Sequence, residues 1–263
     1  MKTAIIIPAR YGSTRFPGKP LAMLAGQSVL ERVAGVAQSA ASAHANVSVH
    51  IATDDDRIAA EAARICVACL MTPASAATGT DRVMAAASQI ADTPDFIINL
   101  QGDAPLTPHD FITAMIEAFQ SSRADIVTPV TQLSWDALDQ LRASKALTPF
   151  SGTTATFDAS GRALWFSKNI IPAIRKEKDL RAASPLSPVH RHIGLYGYAL
   201  PALQKYVALP QSLYEELEGL EQLRALENGM TIQCVKVDYK GRPAMTGIDS
   251  PEDLARAELL LAS

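Results

Sequence analysis

The sequence holds 263 residues, 48% of them apolar and 19% charged, the composition of one large folded domain with a full core. Its net charge is −3, from 24 Lys and Arg against 27 Asp and Glu, so no overall field draws it to nucleic acid or to an anionic membrane. No apolar run approaches the roughly 20 residues that span a bilayer, and the chain enters a strand without a signal-peptide pattern, so the sequence reads as cytoplasmic.

Ala4 to Ile7 is apolar on consecutive positions, which suits a central strand buried on both faces. Pro8 lacks the N–H that a ladder needs, so pairing is predicted to stop there. The loop that follows carries Arg10, Arg15 and Lys19 among Gly12, Gly18, Pro17 and Pro20, which exclude a helix. The first acid of the chain is Glu31, so these cations have no local counter-charge. A basic, glycine-containing loop at the end of a buried strand is where α/β proteins hold anionic ligands, and a phosphate-rich ligand is predicted here.

Ser28 to Ala43 has helical apolar spacing, and Ser28 with Glu31 reads as a capping box. Val47 to Thr53 reads as a strand, closed by Asp54, Asp55 and Asp56. Three consecutive acids can ligate a metal, but they also suit the start of a helix from Asp56 to Arg64, and Arg57 follows directly. Next come a strand at Cys69 to Thr72, a helix from about Thr80 to Ile90, a strand at Phe96 to Gln101, a helix at Pro108 to Ser121 and a strand at Asp125 to Val130. This alternation predicts an α/β fold with a mostly parallel, doubly wound sheet and right-handed crossovers. Cys66, Cys69 and Cys234 are too few for a disulfide framework. The C-x-x-C of Cys66 and Cys69 sits where a helix hands over to a strand, and reads as ordinary cysteine.

The pattern changes after about residue 131. Thr153 to Phe157 and Ala163 to Phe166 flank a turn and read as a hairpin. The charge run Arg175 to Arg181, with Ser184 to Pro188 after it, reads as a solvated loop. His192 to Leu200 reads as one strand, and Ser212 with Glu215 as the cap of one helix reaching Asn228, with Gly229 as its C′ residue. Thr231 to Val237 is a strand, and Ser250-Pro251 starts a terminal helix. Residues 131–230 are read as an α+β insertion within a single 1–263 domain, and as a candidate dimer surface.

The opening loop is not a P-loop. Five residues, not four, separate Gly12 from Gly18-Lys19, and Pro20 stands where a P-loop has the hydroxyl that holds Mg²⁺. A metal bound with the phosphates would need carboxylates from elsewhere. Asp103, after a buried strand and Gly102, and Asp249, just before the last helix, form a candidate Mg²⁺ pair.

Ile7 to Leu21 (IPARYGSTRFPGKPL) resembles the N-terminal motif of the 3-deoxy-manno-octulosonate (Kdo) cytidylyltransferase family. The resemblance continues, in order, through Ala52–Asp54, Thr78–Arg82, Asn99–Asp103, Leu164–Ser167, Arg191–Tyr198, Leu220–Arg224 and Gly247–Leu254. It implies a nucleotide-diphospho-sugar-transferase-like α/β fold and a homodimer. It also implies transfer of CMP from CTP to the anomeric hydroxyl of Kdo, a 2-keto-3-deoxy sugar acid, with release of pyrophosphate, for lipopolysaccharide synthesis. By resemblance Arg10, Ser13, Arg15 and Lys19 handle the triphosphate, and Arg10, Arg15, Lys19 and Asp103 carry the catalysis. Ala9, Thr78, Thr80, Arg82 and Asp103 complete the nucleotide pocket, and Asp103 with Asp249 would hold Mg²⁺. Gln101, Lys168, His192, Tyr196, Glu221 and Gln222 would line the sugar-acid site.

Three positions depart from the family pattern. Lys168 stands where arginine is usual and loses the bidentate fork. Thr154 stands for a lysine and Ala104 for an acid. Two acceptors therefore stay open, Kdo itself or a related acid such as 8-amino-Kdo. A catalytically silent nucleotide-binding protein is a third reading, against which Lys19, Asp103 and Asp249 speak. The acceptor hydroxyl would lose its proton to a metal-activated water or to a carboxylate; both remain open.

Overall fold

The computed structural model describes residues 1–12, 15–244 and 247–262. In the first half, β1 (Thr3–Pro8) leads through a single 3₁₀ turn (Lys19–Leu21) to the short pair β2 (Met23–Leu24) and β3 (Gln27–Ser28). Then follow α1 (Val29–Ser42), β4 (Val47–Thr53), α2 (Asp56–Arg64), β5 (Ala68–Met71), α3 (Gly79–Ala87), β6 (Phe96–Asn99), α4 (His109–Ser122) and β7 (Ile126–Ser134). The second half adds α5 (Trp135–Leu147), β8 (Thr154–Phe157), β9 (Ala163–Ser167), α6 (Glu177–Ala183), β10 (Leu186–His192) and β11 (Tyr196–Ala199). It ends with α7 (Leu200–Val207), α8 (Leu213–Glu218), α9 (Glu221–Glu227), β12 (Ile232–Lys236) and α10 (Pro251–Ala262).

One sheet runs β5-β4-β1-β6-β11-β7-β10-β8-β9, with β12 added parallel to β7. β1, β4, β5, β6, β7, β8 and β12 point one way and only β9, β10 and β11 the other, so the sheet is mostly parallel in direction. Residues 131–230 supply β8 to β11 to this same sheet, and β11 lies in its middle, antiparallel to both β6 and β7.

Ile5, Ile6 and Ile7 are all fully buried because apolar layers cover both faces. Ile5, Ile7, Ile98 and Phe96 meet α1 and α4, while Ala4, Ile6 and Ile97 meet the layer that includes α3, α7 and α9. Burying each isoleucine or phenylalanine among them contributes about 1.5–3 kcal/mol. At Gly197 of β11 the sheet has no room for a side chain. A Cβ on Gly197 would lie 2.2 Å from Phe96 Cζ, and Phe96 is itself stacked on Phe119 at 4.1 Å.

Several expectations are corrected by tertiary context. The charge run is not a loop: Glu177 accepts from both Arg142 terminal nitrogens at 2.8 Å and from Arg181, and this pairing holds the run as α6. The stretch after it is strand, with Pro188 tolerated where the register shifts between Leu186 and His190. His192 to Leu200 is not one strand; the chain turns at Ile193–Leu195, with Leu195 N–H donating to Ile193 O at 2.7 Å. The Ser212–Glu215 capping box forms, but Gly219 (φ 62) ends that helix and α9 restarts at Glu221. At α1 only half of the expected box is made, since Glu31 turns to Arg64 instead of back to Ser28. No helix among the described residues is long and apolar enough to cross a membrane.

Candidate active site

The carboxyl ends of β1 and β6 open onto a cavity of about 360 Å³. Pro8 ends β1, and Ala9 N–H donates to Ala52 O at 2.9 Å, aiming the following loop across the sheet edge. That loop is pinned by Tyr11. Its carbonyl accepts from Gly18 N–H at 2.9 Å, and its ring lies where a Cβ on Gly18 (φ 72) would be, at 3.1 Å. The Arg57 guanidinium covers the ring at 3.3 Å, while Arg57 is itself held by Asp55.

The turn after Gly18 delivers Lys19 into the cavity, where its ammonium donates to Asp103 Oδ2 at 2.5 Å and Asp249 Oδ1 at 3.2 Å. Arg15 reaches Asp249 Oδ2 at 3.5 Å from the solvent side. Asp103 is brought here by Gly102, which packs so closely on β1 that a Cβ would sit 2.6 Å from Pro8 O. Asp249 is brought here by the C-terminal segment. Ile248 N–H donates to Asp103 O at 2.8 Å, and Ile248 packs with Leu24, Val29 and Ala257 in a small buried cluster.

On the opposite wall, Thr78 caps α3 in a full capping box with Asp81. Arg82 is buried and bonded to Thr72 Oγ1 at 2.6 Å and Asp54 Oδ2 at 3.1 Å. The acidic triplet is thereby accounted for within the fold: Asp54 pairs with Arg82, Asp55 caps α2 and grips Arg57, and Asp56 opens the helix.

A second cluster lies beyond Gln101, above β6, β11 and α9. Gln101 approaches Asn99 at 3.5 Å, Asn99 approaches Thr80 at 3.4 Å, and Thr80 approaches Glu221 at 3.4 Å. The Tyr196 hydroxyl donates to Gln222 Oε1 at 2.9 Å, and burial, then Glu221, raises its pKa so that it stays a donor. Gln222 Nε2 is buried with no partner among the described residues. Glu221 is open to solvent on one side, yet surrounding protein raises its carboxyl above the ordinary range, with Arg224 opposing. His192 lies 5.4 Å from Tyr196, ring to ring. Its Nε2 is 2.8 Å from Thr128 Oγ1, whose one proton goes to Leu195 O at 2.8 Å, so Nε2 is the donor and Nδ1 the acceptor. Burial, with Lys168 adding, pushes the His192 pKa down to about 3. Burial also lowers Lys168, against which Glu218 acts.

Of the residues singled out by sequence, Ala9, Arg10, Arg15, Lys19, Thr78, Arg82, Gln101, Asp103 and Asp249 line one cavity. Ser13 lies outside the described residues. Thr80 lies beneath the cavity wall, bridging to Glu221, and Lys168, His192, Tyr196, Glu221 and Gln222 belong to the second cluster. Sequence reasoning missed Asn99, which sits inside the quoted Asn99–Asp103 motif. It also missed Glu218, for which no local signal exists, and the Tyr11–Arg57 stack. Thr154, flagged only as a departure, is fully buried; it donates to Asn169 O at 2.7 Å and accepts from Ile171 N at 3.1 Å.

The residues fit a divalent cation. Two carboxylates, Asp103 and Asp249, converge on one point that a positive charge, the Lys19 ammonium, already occupies. Hard oxygen donors in that number suit Mg²⁺, which keeps waters and takes substrate phosphates instead of demanding a full protein cage.

A family model described as Cytidylyltransferase matches residues 4–232. The 3-deoxy-manno-octulosonate cytidylyltransferase of Maricaulis maris (strain MCS10) is 42% identical over 264 residues, covering 100% of this chain and 98% of the relative. That of Anaeromyxobacter sp. (strain Fw109-5) is 40% identical over 263 residues, with 100% and 98% covered. A solved structure described as CMP:2-keto-3-deoxy-manno-octonic acid synthetase complexed with CTP superposes with a TM-score of 0.84 at 29% identity, covering 100% of this chain and 99% of that one. Matched from end to end by such relatives and by the fold of that synthetase, the chain belongs to the 3-deoxy-manno-octulosonate cytidylyltransferase family.

Proposed function

We propose that the chain transfers CMP from CTP to the anomeric hydroxyl of Kdo and releases pyrophosphate. The observation that carries this reading is the single cavity in which Arg10, Arg15 and Lys19 face Asp103 and Asp249, with Gln101 leading to a buried polar cluster. In the reaction the anomeric hydroxyl gives up its proton to water or to a carboxylate, its oxygen bonds to the α-phosphorus, and the bond from the α-phosphorus to the bridging oxygen breaks, so that pyrophosphate leaves. Arg10, Arg15 and Lys19 stabilise the charge that grows on the departing pyrophosphate. Asp103 and Asp249 are the residues that would hold Mg²⁺. Bound there, the ion supplies charge neutralisation and polarisation of a phosphoryl oxygen.

Ala9, Ser13, Thr78, Thr80 and Arg82 belong to the nucleotide half, Thr80 from beneath the wall, where it links to Glu221. Gln101, Lys168, His192, Tyr196, Glu221 and Gln222 orient the sugar acid, and the unpaired Gln222 Nε2 is a donor ready for a sugar oxygen. Holding both reactants in line supplies the part of such catalysis that charge stabilisation does not. A related 2-keto-3-deoxy acid is the second reading; it is favoured by Lys168, whose single ammonium does not reproduce an arginine fork. We infer a homodimer formed through the 131–230 region, supported by exposed Leu147, Phe150 and Leu186 on that side. A cytoplasmic setting is supported by the free thiols Cys66, Cys69 and Cys234.

Pyrophosphate release with CTP and Mg²⁺, measured across a panel containing Kdo and 8-amino-Kdo, tests this. Turnover with Kdo is expected, and no turnover with any sugar acid overturns the reading. Unchanged activity in Asp103→Asn removes the proposed metal role.

A further inference from the structure

The peptide of Lys168 is gripped from two sides. Its carbonyl accepts from the Lys145 ammonium at 2.5 Å, and the same ammonium donates to Ser151 O at 2.5 Å and Gly152 O at 3.0 Å. Those three contacts use the three protons of the ammonium; the Pro149 carbonyl, at 3.4 Å, is a fourth and weaker neighbour. The Lys168 N–H donates to Glu218 Oε2 at 2.7 Å, and Glu218 Oε1 accepts from Ser167 Oγ at 2.7 Å. Lys145 comes from the last turn of α5, Glu218 from the end of α8, and Lys168 follows β9, so three separate elements meet at one residue. Gly152, at φ 65, holds the left-handed backbone that turns its carbonyl in this arrangement.

The side chains involved point to more than local packing. Lys145 is half-buried and faces Lys168 and Arg191, both positive, with Glu218 as the opposing acid. Holding a half-buried ammonium beside two cations is costly, and its three carbonyl hydrogen bonds offset that cost. Among the described residues the Lys168 ammonium has no hydrogen-bond partner, and its charge acts on His192 in the acceptor cluster. A lysine has one mobile point charge where arginine has a rigid fork, so fixing its main chain restores part of the lost precision.

We propose that Lys145 and Glu218 are positioning residues that together fix the main chain of Lys168 and so determine recognition of the acceptor's carboxylate. The inference rests on the cytidylyltransfer reading and on Lys168 facing the acceptor. It concerns the acceptor alone, because neither Lys145 nor Glu218 lines the nucleotide cavity.

The test is steady-state kinetics of Lys145→Ala and Glu218→Gln with Kdo and CTP varied separately. In each variant the KM for Kdo should rise by about tenfold or more, as expected when a charge-assisted hydrogen bond is lost. The KM for CTP should stay within about twofold. Propylammonium added to Lys145→Ala should lower the Kdo KM again, and NaCl at equal ionic strength should not. If the wild type turns over Kdo but both variants keep its KM, or if the KM values for CTP and Kdo rise together, the clamp is overturned. If Lys145→Ala does not fold, Glu218→Gln decides alone. Failure of the wild type with every sugar acid instead overturns the functional reading.

Discussion

Lys19 and Asp103, 84 residues apart, meet at 2.5 Å, and the same ammonium reaches Asp249 at 3.2 Å. One cation from the opening loop thus stands between a carboxylate from the middle of the chain and one from its C-terminal segment, with only 13% of its side chain exposed. Under the proposed function, a nucleotide entering this cavity would meet a lysine already placed to exchange a carboxylate for a phosphate.

Lys19→Met should therefore weaken CTP binding by about 10- to 100-fold, the range expected for losing a charge-assisted contact to phosphate. Calorimetric titration of CTP checks it. An unchanged Kd would mean that Lys19 serves the two aspartates only.

Tyr196 and Gln222 satisfy one another in a buried setting, so removing one alone strands the other. The pair Tyr196→Phe with Gln222→Leu removes both polar ends and the unpaired Nε2. Folding stability is expected to hold within about 1 kcal/mol, while the KM for Kdo rises at least about tenfold. Denaturant titration and kinetics together read the two effects.

His192 carries a pH signature. Its folded pKa of about 3 lies below the ordinary value of 6.5, so the unfolded chain binds the extra proton first as pH falls. Its stabilising share is complete above about pH 6.5. It is lost as pH drops from there towards 3, by up to about 1.4 kcal/mol per unit. Carboxylates add their own acid sensitivity, so the comparison with His192→Asn matters: the variant should show the shallower loss between pH 6.5 and 4. Parallel curves would contradict the burial of the ring.

Gly102→Ala and Gly197→Ala should fail differently. At Gly102 the new Cβ meets the fixed backbone oxygen of Pro8 at 2.6 Å, and Asp103 follows directly. A shift of about 1 Å there is expected to cut kcat about 100-fold. At Gly197 the Cβ meets the Phe96 ring in the middle of the sheet, at 2.2 Å from Cζ. The expected loss is about 1–3 kcal/mol of stability, read in a denaturant midpoint.

Much of the nucleotide half was legible because its signals are local. The run Ala4–Ile7 is itself a strand, the loop cations and Asp103 each follow a strand end, and patterning locates strand ends well. The second half was harder to read. Residues 175–181 look like a solvated charge run until Arg142 and Asp139 of α5 supply partners, and α5 itself has a weak apolar stripe. Asp249 was placed correctly at a helix start, but only Ile248 bonding to Asp103 shows why it reaches the cavity. Glu218 and Lys145 had no signal at all, since Lys145 bonds main-chain carbonyls and Glu218 a main-chain N–H, groups that any residue would offer, with one serine hydroxyl besides.

The position of β11 has a consequence for how the protein is made. β6 and β7 lie side by side in sequence order, yet neither touches the other; the seat between them waits for Tyr196–Ala199. Until that segment leaves the ribosome, the nascent chain carries open strand edges at β6 and β7, and the later α7, α9 and Asp249 have yet to cover the sheet and complete the cavity. Such edges invite pairing with other chains, and the long wait makes closure of the sheet a slow, late event. A chaperone that binds extended apolar segments would find its target in this interval, and synthesis stalled before residue 196 would leave a product prone to aggregate.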